Sequence, residues 1–227
     1  MNYKGVIFDL DGTLLDSLPG IADAANGLLA EMNFPKHPLE SYRNFVGEGI
    51  VELIKRVLPS NWQTMATGQQ AEEKGWQLEE MVVRYRFFYG KTWPQGTSLY
   101  PGIRELLGEM CEKKIKMAVL SNKSDDFTRL MVQTLLGDFG FTVVRGAREG
   151  VPAKPAPDAA LEIAAVMDCE PKETVFVGDS GIDMQTAVRA RMVPVGVLWG
   201  FREAPELLEN GAKKLIRRPA ELMPMLV

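Results

Sequence analysis

The chain has 227 residues, of which 46% are hydrophobic and 25% charged. That is enough apolar material for one sizeable core with an inserted subdomain. A net charge of −4 leaves no electrostatic footprint for nucleic acid, so an anionic substrate must be held by a local set of donors.

Met1-Asn2-Tyr3-Lys4 runs straight into an apolar strand, so no signal peptide is expected. That strand, Val6-Ile7-Phe8, leads into Asp9-Leu10-Asp11-Gly12-Thr13-Leu14-Leu15-Asp16-Ser17. A buried strand ending in paired acids reads as a site at the carboxyl edge of a parallel sheet. Gly12 permits a sharp backbone turn there. Two acids this close repel unless a cation or a shared proton compensates, and oxygen-only ligands point to Mg²⁺. Asp16 or Ser17 then caps a helix with Pro19 in its first turn, and Ile21, Ala24, Ala25, Leu28 and Leu29 carry helical periodicity to Met32. Pro35 and Pro38 break it. Tyr42, Phe45 and Val46 lead to Gly47-Glu48-Gly49, after which Ile50, Leu53, Ile54 and Val57 form another apolar face. A polar stretch runs from Ser60 to Gly75, and Leu78, Met81, Val82, Tyr85, Phe88 and Tyr89 make a third helix. Residues 17–94 thus read as an all-helical insert, and the Tyr85, Phe87, Phe88 and Tyr89 cluster as its core.

From Tyr100 the texture changes. Pro101-Gly102 opens a helix with Ile103, Leu106, Leu107 and Met110, and a buried strand from Lys116 to Leu120 ends at Ser121-Asn122-Lys123. A helix over 125–136, a strand over 141–144 and a helix over 158–167 follow. Thr174 to Val177 is a strand ending at Gly178-Asp179-Ser180, and the next helix holds Met184, Ala187 and Val188. A strand over 193–198, a helix over 206–210, a strand over 214–216 and a helix over 220–226 complete the chain. Strands alternating with helices predict an α/β fold with a doubly wound parallel sheet. The expected division is a core of residues 1–16 and 95–227 with a helical cap of residues 17–94. Cys111 and Cys169 are far apart and form no metal or redox pair, which suits reduced thiols in a cytoplasmic protein. No apolar run is long enough to span a bilayer, so no membrane partner is expected. The twelve methionines read as core filler.

Four stretches put polar groups at strand ends or helix starts: Asp9 with Asp11; Ser121-Asn122-Lys123; Lys154 in Ala153-Lys154-Pro155; and Gly178-Asp179-Ser180-Gly181-Ile182-Asp183. Their order and spacing resemble the four motifs of the haloacid dehalogenase superfamily, phosphatase branch. Asp-x-Asp-Gly-Thr-Leu after a hydrophobic strand is the most specific of them. The resemblance implies a Rossmann-like core and a Mg²⁺-dependent hydrolysis of small phosphomonoesters. In it Asp9 attacks phosphorus and becomes an aspartyl phosphate, Asp11 serves as general acid and base, and Lys154 stabilises nucleophile and equatorial charge. Asp9, Asp179 and the backbone carbonyl of Asp11 hold the metal, and Asp183 stands behind them, positioning Lys154 or metal-bound water. The implied substrate-binding residues are Gly12, Thr13, Ser121 and Asn122, with Gly47 and Glu48 from the insert. Dehalogenases of this fold lack an acid at the place of Asp11, which favours phosphatase chemistry.

Within that branch the resemblance is closest to phosphoglycolate phosphatases, through Val46-Gly47-Glu48-Gly49, Ser121-Asn122-Lys123 and Leu198-Trp199-Gly200-Phe201-Arg202. Pyrophosphatases and sugar-phosphate mutases share the catalytic motifs and remain alternatives. So does a receiver-like phospho-acceptor module, which also uses clustered acids, Mg²⁺ and a Lys. The expected partner is a small phosphorylated metabolite, with the protein a monomer or homodimer. Other phosphatase chemistries lack their groups. His37 is the only histidine and is expected at the surface, and neither cysteine has an Arg six positions later. Gly90-Lys91-Thr92 ends like a P-loop, but Tyr85 occupies the place of its first glycine.

Overall fold

The computed structural model describes residues 3–60, 62 and 77–226. The polar stretch read from Ser60 to Gly75 lies almost wholly outside the described residues. The chain divides into two compact units, Met1–Asp16 with Ser98–Val227, and Ser17–Thr97.

The first unit is built on β1 (Gly5–Phe8), β2 (Leu15–Asp16), β3 (Ser98–Leu99), β4 (Lys116–Ser124), β5 (Val143–Ala147), β6 (Thr174–Gly178), β7 (Val193–Val197) and β8 (Lys214–Ile216). Six of these strands form one sheet in the order β5-β4-β1-β6-β7-β8, every neighbouring pair parallel. This is the doubly wound α/β sheet expected from the sequence. The chain leaves β1 toward β4 and β5, then returns to the other side of β1 as β6. That reversal opens a crevice outside the carboxyl ends of β1 and β6, where such sheets bind ligands. The helices of this unit are α5 (Ile103–Glu112), α6 (Asp125–Leu136), α7 (Asp158–Val166), α8 (Gly181–Arg189), α9 (Ala204–Glu209) and α10 (Met223–Leu226).

The core explains the unbroken apolar runs. With both faces of a parallel sheet covered, Val6, Ile7 and Phe8 are all buried rather than alternating. Ile7 and Phe176 from adjacent central strands pack with Ala118, Leu120, Ile163 and Met167. Burying a side chain of this size contributes about 1.5–3 kcal/mol, so the sheet centre is anchored strongly. Met110, Met117, Met131, Met184 and Met192 are all buried, as filler is. Cys111 is exposed and Cys169 buried, both as free thiols.

Three features differ from the sequence reading. The strand expected over 141–144 begins later, and β4 extends past Leu120 to Ser124 after an irregularity in its pairing with β5. A two-stranded antiparallel pair joins β2 to β3, with Leu15 opposite Leu99 and Asp16 opposite Ser98. Two-residue strands carry no periodicity, so nothing in the sequence marks them.

The second unit holds α1 (Leu18–Glu31), α2 (Tyr42–Phe45), α3 (Ile50–Val57) and α4 (Leu78–Thr92). Helix α1 packs along α4, where Thr92 Oγ1 donates to Gly20 O at 2.8 Å. Tyr85 and Tyr89 are buried and stacked, centroids 5.7 Å apart, whereas Phe87 is 48% exposed and stands outside that core. His37 is not the surface residue expected. It is half-buried, its Nε2 lies 2.8 Å from Val57 O, and its ring meets Tyr42 and Phe45 edge-on. Asn26 clasps its backbone at 2.9 and 3.0 Å. The flanking Lys36 and Pro38 are exposed, and two of the partners that bury His37, Asn26 and Val57, lie 11 and 20 residues away. Among the described residues no helix is long and apolar enough to cross a membrane.

Candidate active site at the carboxyl edge of the sheet

Asp9 follows β1 directly and stays on the ladder, its N–H donating to Val177 O of β6 at 2.9 Å. Asp179 follows β6, so the two carboxylates are placed by adjacent strands. Lys154 comes from the loop between β5 and α7 and is buried. Its Nζ lies 2.8 Å from Asp9 Oδ1 and 2.7 Å from Asp183 Oδ1. Asp183 sits in the first turn of α8, in a capping box in which Ser180 Oγ and N donate to Asp183 Oδ2 at 2.6 and 3.1 Å. Both Asp183 oxygens are therefore taken up by protein donors, as suits a residue that positions Lys154.

The backbone of Lys154 is itself held. Asn122 Nδ2 donates to Lys154 O at 3.0 Å and Asn122 Oδ1 accepts from Lys154 N at 2.9 Å. The sequence put Asn122 among substrate-binding residues and gave no sign of this clasp. Ser121 is buried beside it, and its Oγ accepts from Lys123 N at 3.2 Å. Lys123, for which the sequence offered no role, reaches Asp11: the Nζ–Oδ2 distance is 2.7 Å, with side chains 10% and 12% exposed. Its position next to the Ser-Asn pair at a strand end was the available signal.

Gly12 makes the turn at φ +85°, a conformation that disfavours other residues, and a Cβ there would lie 2.3 Å from Asp179 Oδ2. Thr13 Oγ1 donates to Asp179 Oδ1 at 3.4 Å, and Phe201 N donates to Asp179 Oδ2 at 2.7 Å. Gly47 and Glu48 belong to the helical unit. There Gly47 and Gly49 adopt φ of +123° and +88°, and Glu48 is ion-paired with Arg56 two turns into α3.

Asp9, Asp179 and Asp183 each offer a carboxylate oxygen within 4.8 Å of the other two. Among the described residues three buried carboxylates contact one ammonium, with Arg202 acting on Asp179 from further off, so negative charge is in excess. The electrostatics register it. Burial pushes Asp9 well above the ordinary aspartate range, with the Asp183 charge adding to it and Lys154 opposing. Burial and then Asp183 push Asp179 up to about 7. Burial alone would make Lys154 easier to deprotonate, but Asp183 and Asp9 together outweigh it and keep the ammonium charged. Oxygen-only donors with excess negative charge fit a hard divalent cation. Asp9, Asp179 and Asp183 could hold it, Asp183 being the one whose two oxygens are bound by Lys154 Nζ and by Ser180, while the Asp11 carboxylate faces Lys123.

The model of the haloacid dehalogenase-like hydrolase family matches residues 6–197. The chain is 33% identical over 228 residues to a phosphoglycolate phosphatase of Haemophilus influenzae, covering 99% of this chain and 98% of that protein. It is 33% identical over 212 residues to a phosphoglycolate phosphatase of Escherichia coli, covering 88% and 83%. A crystal structure from Lactobacillus delbrueckii superposes with a TM-score of 0.87 at 30% identity, covering 100% of this chain and 99% of that one.

Proposed function

Because this chain belongs to the haloacid dehalogenase-like hydrolases and is a phosphatase of that family, we propose that it hydrolyses small phosphomonoesters with Mg²⁺, phosphoglycolate first among them. The observation that supports this best is the buried cluster of Asp9, Asp179, Asp183 and Lys154, with Asp11 two residues beyond Asp9. Relatives sharing a third of its residues over nearly its whole length are named phosphoglycolate phosphatases, which supports the substrate.

In this reading the Asp9 carboxylate attacks phosphorus as the bond to the leaving alkoxide breaks. Asp11 supplies the proton that the alkoxide takes up. Asp11 then accepts a proton from water, whose oxygen attacks phosphorus, freeing Asp9 and inorganic phosphate. Lys154 favours the ionised form of Asp9 and stands beside the equatorial oxygens, which Ser121 would help to hold; the Gly12 and Thr13 N–H groups donate to Leu15 O and Leu10 O instead. Asp9 and Asp179 would hold Mg²⁺, which would supply charge neutralisation at the phosphoryl group. Substrate choice is assigned to the helical unit, in which Gly47 and Glu48 form the turn before α3.

Phosphate release by the Asp9→Asn variant tests the reading. Turnover should vanish while far-UV circular dichroism stays that of the parent; retained turnover overturns the mechanism. A panel of phosphoglycolate, pyrophosphate and sugar phosphates tests the substrate. A phosphoryl group that persists on Asp9 instead of being released would favour a phospho-acceptor module.

A further inference from the structure

The Trp199-Gly200-Phe201 segment joins the resemblance without a role in the chemistry, and the structure supplies one. Strands β6 and β7 are neighbours in register, Gly178 opposite Gly196, so the chain leaving β7 emerges beside Asp179. It then crosses the end of β6 toward the turn after β1. Trp199 Nε1 donates to Thr13 O at 3.0 Å, and Phe201 N donates to Asp179 Oδ2 at 2.7 Å. Thr13 Oγ1 donates to Asp179 Oδ1 at 3.4 Å and closes the ring. Gly200 fills the slot between these contacts. A Cβ on it would lie 2.3 Å from Asp179 Cβ and 2.5 Å from Gly12 O.

Asp179 is thereby confined on two sides by residues without side chains, Gly12 and Gly200, and both its oxygens are engaged. It has no room to turn. The segment after β7 touches the Asp179 carboxylate and the turn that carries Asp11 at the same time, and the Trp199 indole is its tie to that turn. We infer that Trp199 is a positioning residue that, through the Trp199-Gly200-Phe201 strap, sets Asp179 against Asp9 for a divalent cation. Partners that orient a metal ligand typically govern about 10- to 100-fold in metal affinity. The inference rests on the metal-dependent reading above.

The experiment is calorimetric titration of the full chain with Mg²⁺ in the absence of substrate, beside phosphate release as a function of Mg²⁺. Trp199→Phe keeps an aromatic ring and removes the N–H donor. It should weaken Mg²⁺ binding about 10-fold, while kcat at saturating Mg²⁺ and KM for the phosphoester stay within about twofold of the parent. Benzothienylalanine at position 199 keeps the bicyclic shape and removes only the donor, so it reads the same bond should Trp199→Phe fail to fold. Parent-like Mg²⁺ affinity in either folded variant overturns the inference and leaves the phosphatase reading standing. Asp179→Asn is the control. If the parent binds Mg²⁺ no better than Asp179→Asn does, the metal-dependent reading itself falls, and the inference with it.

Discussion

Replacing Lys154 by Met isolates the electrostatic centre of the site. Methionine is unbranched and of similar length, so it fills the same channel with little cavity cost. The Lys154 side chain is 3% exposed and its two carboxylate partners are 11% and 0% exposed, so solvent does little to screen the pairs. Among the described residues Lys154 is the ammonium in contact with that cluster, and removing it leaves three buried carboxylates with only the more distant Arg202 charge to offset them. Breaking a buried pair in this way costs about 3–5 kcal/mol, a large share of the about 5–15 kcal/mol that holds a typical domain folded. The loss depends on pH in a definite direction. Asp9 and Asp179 already hold protons more tightly than free aspartate, and losing the ammonium strengthens that hold. The folded variant then binds more protons than its unfolded chain, so acid stabilises it relative to the parent. Urea unfolding followed by circular dichroism, in EDTA, should show a loss of about 3–5 kcal/mol at pH 8 and a clearly smaller one at pH 5. Mg²⁺ at a hundredfold excess over the variant's own dissociation constant should raise the variant's stability at pH 8 by about 2.7 kcal/mol relative to EDTA. A loss below about 1 kcal/mol at pH 8, or one equal at both pH values, would refute the charge count.

Two further outcomes follow from the same geometry. In the metal-free parent, Asp179 is pushed up to about 7 and Asp9 above 3.8, so protons compete with metal below neutrality. The Mg²⁺-induced rise in the urea midpoint should therefore grow from pH 5 to pH 8. Taking the difference with and without metal cancels the exposed carboxylates that titrate the other way, and a rise that is larger at pH 5 contradicts the assignment. Asn122→Ala removes both hydrogen bonds that clasp the Lys154 backbone, leaving a buried N–H and C=O unpaired. It should cost about 1–3 kcal/mol of stability and lower kcat more than it changes KM. A variant with parental kcat and raised KM would instead make Asn122 a substrate contact.

Much of the core was legible because burial leaves a continuous mark. Val6-Ile7-Phe8 and Thr174-Val175-Phe176-Val177 are covered on both faces, and each run ends abruptly at the acid that the sheet presents at its edge. Asp9 and Asp179 could be placed for that reason. The β2–β3 pair could not, because two residues per strand make no pattern. His37 was misread because its covering residues, Asn26, Tyr42, Phe45 and Val57, come from three helices and act through tertiary contact. Phe87 was misread because one exposed position inside an aromatic run looks like its buried neighbours until the helix face is known.

The amino-acid order by itself determined which residue types stand at each strand end, and with them the chemistry, since carboxylates, ammonium and glycine are covalent facts. What waited for the folded molecule was how those groups divide the charge: Lys154 between Asp9 and Asp183, Lys123 on Asp11, Asn122 on a backbone 32 residues away, and Trp199 on a carbonyl 186 residues away. Such pairings depend on distances of a few ångströms between segments remote along the chain. No local pattern encodes them, because the strands that bring them together are chosen by the packing of the whole sheet.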